Sequence, residues 1–362
     1  LVRELFDDPH RQVLVDGVTV ATSRTVRISG VTITGFEPGV DARGGANVTF
    51  TSVVVEKNKQ SGISLADKGT KVTVTGSAIR DNVADASGRF GQGVAVGYDA
   101  SLTVEDSDLD HNGEMAVRVL EAGSATVTRS VLRRSTARAA NGAYGWGIGA
   151  QSRGSFELVG SLVADVIGGG AVAVEKGTKG VVRQSTIAGV KPGATSGGGS
   201  TAACALTQLE GDLTVEGSTL TSTDGSGIAA TDSATATVRS SSILGPVGAI
   251  EGTAGVLVAK KGTLEVEGLA VVDPKGIGAV VSDSGKLSGK TLLVRRAEVS
   301  ALAVKGAAVV ERVVIEDTKA GSGSGGGYGA GVYVDAKGRV ELTQGLVRGS
   351  AGIGVIANGA GA

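Results

Sequence analysis

The chain has 362 residues and a net charge of −1, from 35 basic and 36 acidic residues, which gives no electrostatic reason to expect nucleic acid or an anionic membrane surface as a partner. One cysteine, Cys204, excludes an internal disulfide and a cysteine-built zinc site, and no apolar run approaches the roughly 20 residues that membrane insertion demands. With 60 glycines and only 3% aromatic residues, the interior has to come from Val, Ile, Leu and Ala, and only a repeat separates such glycine content from low complexity.

Residues 1–16 carry no repeat and read as a leader, N-terminal cap or linker. From there a six-residue pattern recurs, in which positions one, four and six are apolar, small or apolar, and aliphatic. The copies are ISGVTI (28–33), FTSVVV (50–55), VTGSAI (74–79), VEDSDL (104–109), VTRSVL (127–132), LVGSLV (158–163) and VRQSTI (182–187). They continue as VEGSTL (215–220), VRSSSI (238–243), VEGLAV (266–271), LSGKTL (287–292), VERVVI (310–315) and LTQGLV (342–347), thirteen in all. A second apolar segment, opened by glycine in most cases, precedes most copies: GISL, GVAV, AVRV, GIGA, GIAA, GVLV, GAVV, GVYV. The local period is 2, which belongs to strands, and glycine every few residues argues against helix.

A segment of about 23 residues cannot bury its own apolar face, whereas stacked copies can. The pattern therefore predicts an all-β fold, a right-handed parallel β-helix of about thirteen coils over residues 17–362, each coil with three short strands. The final GVIANGAGA reads as a repeat restarting, so an excised piece truncated at its C-terminal end is expected, with open strand edges that favour end-to-end self-association. On these repeats the sequence resembles the right-handed parallel β-helix superfamily, which includes pectate lyases, polygalacturonases and many Gly/Ser-rich secreted bacterial proteins of unknown role. The resemblance implies the fold, and an extracellular, cell-surface or periplasmic setting.

Aligned copies place residues two dozen positions apart side by side. One column then reads Glu56, Arg80, Asp110, Arg133, and its neighbour Lys57, Asp81, His111, Arg134, Asp165. The acidic run Glu105–Asp106–Asp108–Asp110–His111 is thereby interleaved with cations and reads as a solvated ion-pair ladder; no metal site, cofactor or catalytic residue is assigned. Ser77, Ser107, Ser130, Ser161, Ser185, Ser218 and Ser241 form another column, and with no histidine beside them an internal hydroxyl ladder is expected. The Asp-Asp pair and Gly-His-Gly segment of polygalacturonase-like enzymes and the acidic calcium cluster of pectate-lyase-like ones have no counterpart in the repeat.

Extra residues enter at one phase of the coil, after the charge ladder: 82–92, 135–146, 189–203, 245–254 and 319–330. Insertions at one phase of a solenoid line one edge, and loops carry binding more often than packed strands do. Arg89, Phe90, Arg138, Tyr144, Trp146 and Tyr328 lie in these loops and are the candidate binding residues. The alternative for the aromatics is that each tucks over the next coil's glycine and covers the core. The leading expectation is a non-catalytic scaffold whose partner is a polysaccharide or a surface protein. The rivals are a polysaccharide lyase or glycoside hydrolase with a loop-built site, and a purely structural module.

Overall fold

A computed structural model describes residues 17–358 apart from 22, 194–201, 248–253 and 321–328, and the regular structure it contains is all strand. The chain divides into two compact units, residues 1–167 with 193–198 and residues 168–192 with 199–362.

In the first unit the opening strands of successive coils, Val18–Val20, Val40–Ala42, Ser61–Leu65, Gln92–Val96, Met115–Val119 and Trp146–Ala150, pair in parallel in that order. The second and third strands stack likewise. Ser101–Glu105 lies between Lys71–Thr75 and Ser124–Thr128, and Asp108–Asp110 lies between Ala78–Arg80 and Val131–Arg133. Alternation sends every other side chain inward, so Val74, Val104, Val127 and Leu158 form one buried column and Ile79, Leu109, Leu132 and Val163 another. Each such side chain contributes about 1.5–3 kcal/mol by leaving water.

The second unit repeats the scheme, with opening strands Gly169–Val174, Ala203–Gln208, Ser226–Ala230, Ala254–Val258, Ile277–Val281, Ser300–Val304, Ala330–Val334 and Val355–Ala357. Here the expectation of three short strands per coil is only partly met. Thr235–Val247, Thr263–Val272 and Lys286–Arg295 each run through the second and third positions as one strand. The bend survives inside them as a left-handed residue at one register position, Ser240 (φ 46°), Gly268 (φ 84°) and Thr291 (φ 63°), while bridges continue on both sides of it. In the last coil the apolar Leu346, Ile353 and Val355 are exposed.

Two polar ladders run through the buried interior. In the serine column the hydroxyls of Ser77, Ser107, Ser130 and Ser161 accept the amides of Val53, Ser77, Ser107 and Ser130 at 3.1 Å. Each of these hydroxyls also donates to the carbonyl two residues back, as Ser107 does to Glu105 at 2.7 Å. Ser218 and Ser241 repeat the arrangement in the second unit. The hydroxyls close a backbone gap where each coil turns its corner, as the sequence led us to expect.

The second ladder is of asparagine. Asn58 donates through Nδ2 to Asn82 Oδ1 at 3.1 Å, and Asn82 to Asn112 Oδ1 at 2.8 Å, with all three side chains buried. It explains the glycines that open the neighbouring strands. A Cβ on Gly62 would stand 2.7 Å from Asn82 Nδ2, and one on Gly93 would stand 3.0 Å from Asn112 Nδ2 and 2.6 Å from Ala116 O.

Candidate binding groove on the looped edge

The asparagines mark the point at which each coil leaves its third strand, and the residue before them is left-handed: Lys57, Asp81 and His111 have φ between 52° and 55°. The loops 82–92 and 135–146 leave the first unit at this phase. Their returns are built alike. Phe90 and Tyr144 are both left-handed (φ 68° and 64°), each followed by a left-handed glycine, Gly91 and Gly145. The carbonyl of Gln60 accepts the amides of Gly91 and Gln92, and the carbonyl of Glu114 accepts those of Gly145 and Trp146, at 2.6 to 3.0 Å. Two aromatic residues held in a costly conformation by the coil beneath are a device for aiming loops.

Glu114 ties the two loops together. Its side chain is wholly buried and accepts from the Phe90 amide at 2.6 Å, from Gln92 Nε2 at 2.7 Å and from Arg138 Nε. Arg118 Nη1 stands 3.7 Å away. Burial holds the Arg118 guanidinium below its usual value against the pull of Glu114. For Arg138 burial acts in the same sense but is outweighed by the bond to Glu114, so its pKa rises. Arg138 lies over the Tyr144 ring at 4.4 Å, and Tyr144 meets Trp146 edge to face at 5.0 Å. Trp146 covers Gly149, whose hypothetical Cβ would come 2.4 Å from the indole.

The candidate residues therefore fall into two groups. Arg138, Tyr144 and Trp146 are drawn together around Glu114 and are half-buried. Phe90 is half-buried, and the exposed Arg89 lies over its ring at 5.6 Å. Tyr328 falls outside the described residues.

Between the loops lies a groove of about 340 Å³ lined by Asp81, Val83, Ala84, Phe90, His111 and Thr136, among others. Val83 is half exposed, so the groove presents an apolar wall of Val83, Ala84 and Phe90. Thr136 and His111 add polar groups to the same lining, and His111 Nδ1 meets Asp81 at 2.8 Å. Among the described residues Nε2 of His111 has no hydrogen-bond partner. Sequence reading placed Asp81 and His111 in the charge ladder and not in a binding site, and it did not single out Val83 or Thr136, although their phase beside the insertions could have pointed to them.

The acidic run itself is an ion-pair ladder, with one correction. Asp110 does sit in register between Arg80 and Arg133. It is buried rather than solvated, and Arg134 holds it through two hydrogen bonds, with Arg133 at 3.5 Å. The long Arg133 and Arg134 side chains fold over it and exclude water, as arginine stems do. Those contacts, led by the Arg134 hydrogen bond, hold its carboxyl below the ordinary range. Asp106 pairs with Arg129 at 2.8 Å and Asp108 with Arg133 at 2.7 Å. The ladder resumes in the second unit as Asp273–Arg296 and Glu316–Arg348.

Residues 16–145 match the family model described as the right handed beta helix region. That match and the parallel coils of both units give the chain the fold of a right-handed parallel β-helix. Among solved structures, one titled as the crystal structure of pectate lyase Pel9A is 12% identical over 95% of this chain and 70% of that chain, with a TM-score of 0.32. No curated protein matches.

Proposed function

We propose that this protein is a secreted or cell-surface scaffold that binds a carbohydrate chain along its looped edge, without turning it over. The observation that carries the reading is the groove between loops 82–92 and 135–146, whose lining combines Phe90 with His111 and Thr136. A sugar has an apolar ring face and a fringe of hydroxyls, and a concave site with one aromatic face and a few convergent polar groups suits both. The Glu114 network supports the reading because it spends a buried charge on holding both groove-forming loops.

The test is a glycan array probed with the wild-type chain and with Phe90→Ala. We expect saturable hits that weaken about tenfold or more in the variant, since an aromatic face contributes on the order of 1 kcal/mol beyond its buried area. An array without hits, or hits unchanged by Phe90→Ala, refutes the reading. Release of reducing or unsaturated ends that survives purification would replace it with the lyase or hydrolase alternative.

A further inference from the structure

The second unit carries a different feature, set by a turn that is two residues short. In four successive coils the turn after the opening strand contains a left-handed pair: Leu209–Glu210, Asp232–Ser233, Lys260–Lys261 and Asp283–Ser284. These pairs are joined along the stack. The amides of Glu210, Ser233 and Lys261 donate to the carbonyls of Asp232, Lys260 and Asp283, the first residue of the next pair, at 3.0 to 3.1 Å. After Ser284 the series stops. The next coil passes from Ser300–Val304 to Ala307–Val310 through Lys305 and Gly306 alone, and both of their amides are taken by the Val281 carbonyl. The Ser284 amide thus points to where the next turn would be and finds no protein acceptor among the described residues. One coil further on, a four-residue turn (335–338) returns.

The missing turn leaves a notch of about 740 Å³, walled by Asp283–Ser284 on one side and Asp335–Lys337 on the other, with Gly306 at its floor. The floor cannot be raised by a side chain, because a Cβ on Gly306 would stand 2.4 Å from Gly285 O. Lys286, Ala307 and Arg339 are consecutive partners in one column, so Lys286 and Arg339 flank the notch roughly 10 Å apart, two strand spacings. Four cations line it, Lys286, Lys305, Lys337 and Arg339, against Asp283 and Asp335, for a net 4 − 2 = +2. Lys305 is paired with Asp335 at 3.3 Å and Arg339 with Glu341 at 3.4 Å, whereas Lys286 and Lys337 have no ion pair among the described residues.

We propose that this notch binds a phosphate or sulfate group, seated between Lys286 and Lys337 and capped by the Ser284 amide. Exposed lysines alone are ordinary surface. Here they converge on a concavity that also offers an unpaired backbone donor and the Ser284 hydroxyl, the combination by which turn amides and ammonium groups hold tetrahedral oxyanions. The volume falls in the range of small-molecule sites, so the group can belong to a phosphorylated or sulfated molecule rather than to the free ion. The notch lies wholly within the second unit and does not depend on the carbohydrate reading of the first.

The experiment is titration calorimetry of the full chain with sodium phosphate, sodium sulfate and a sulfated disaccharide, at ionic strength matched with sodium chloride. Saturable one-to-one binding is expected, weakened about tenfold by Lys286→Ala and by Lys337→Ala. A second variant with Asp-Ser inserted between Lys305 and Gly306 rebuilds the four-residue turn, fills the notch and is expected to abolish binding. Preference for phosphate or for the sulfated sugar tells which ester the site takes. Absence of saturable heat from all three anions above the chloride control overturns the proposal, as do lysine variants that bind like the wild type.

Discussion

Glu114→Ala is the most informative perturbation of the looped edge. The Glu114 carboxylate is wholly buried and accepts from three donors, Phe90 N, Gln92 Nε2 and Arg138 Nε, with the Arg118 guanidinium as a second counter-charge at 3.7 Å. The side chains of Arg138 and Arg118 are only 11% and 15% exposed, so both would lose their counter-charge in a largely dry setting. Removing one member of a buried pair costs about 3–5 kcal/mol, because the other is left uncompensated. Coils of a solenoid touch only their neighbours, so the loss should appear as local opening of the two loops rather than as global unfolding. That energy corresponds to a rise in amide exchange of roughly a hundredfold to several thousandfold. Native-state hydrogen exchange reads it at the amides of Phe90, Gly145 and Trp146, with the serine-ladder amides of Ser77 and Ser107 as unaffected controls. Glu114→Gln keeps the shape without the charge and should behave almost as badly. Loop amides that exchange as in the wild type would refute the anchoring role, and so would equal loss of protection across the whole unit.

Other outcomes follow from the same contacts. Ser130→Ala removes the acceptor of the Ser107 amide and should cost about 1–3 kcal/mol, seen as faster exchange of that amide; an unchanged rate would mean the hydroxyl column is incidental. Asp110 has a carboxyl held low by Arg134, so its stabilisation is present above the ordinary carboxylate pKa and is lost as pH falls through the lower folded value. Asp110→Asn should therefore flatten the acid limb of a urea-midpoint-against-pH curve, and an unaltered limb would contradict the pairing. Cys204 is buried, and burial pushes its thiol up to about 12, so a disulfide reagent at about pH 8 should modify it only after denaturation. Rapid labelling of the native chain would place it elsewhere.

The coil was legible in the sequence because its signal repeats: a period of 2 within strands and of about two dozen residues between them puts Ser77, Ser107 and Ser130 in one column before any coordinate is known. The charge ladder was legible in register but not in burial, because neighbours in a column say nothing about how far Arg133 and Arg134 fold over Asp110. Glu114 was invisible for a different reason. It follows the Asp110–His111 run and looks like more of the same acidic surface, yet its left-handed backbone turns the side chain into the stack. The asparagine column was present as Asn58, Asn82 and Asn112, but its meaning lies in side-chain amides bonding along the axis, which no local period reports. The short turn at Lys305–Gly306 was hidden as well. The copy read as LSGKTL (287–292) stands two residues out of register: Gly289 and Val294 are the partners of Val310 and Ile315, so that coil spans 310 − 289 = 21 residues and the misplaced copy concealed the shortening.

The central claim, that ligand binds on the looped edge which Glu114 holds in place, is tested most directly by exchange footprinting of the full chain with a saturating glycan taken from the array. New protection should concentrate in residues 82–92, 111–114 and 135–146 of the wild-type chain and disappear in Phe90→Ala. Protection centred on the flat strand faces around Thr73, Thr103 and Thr126, with the loops unchanged, would contradict it.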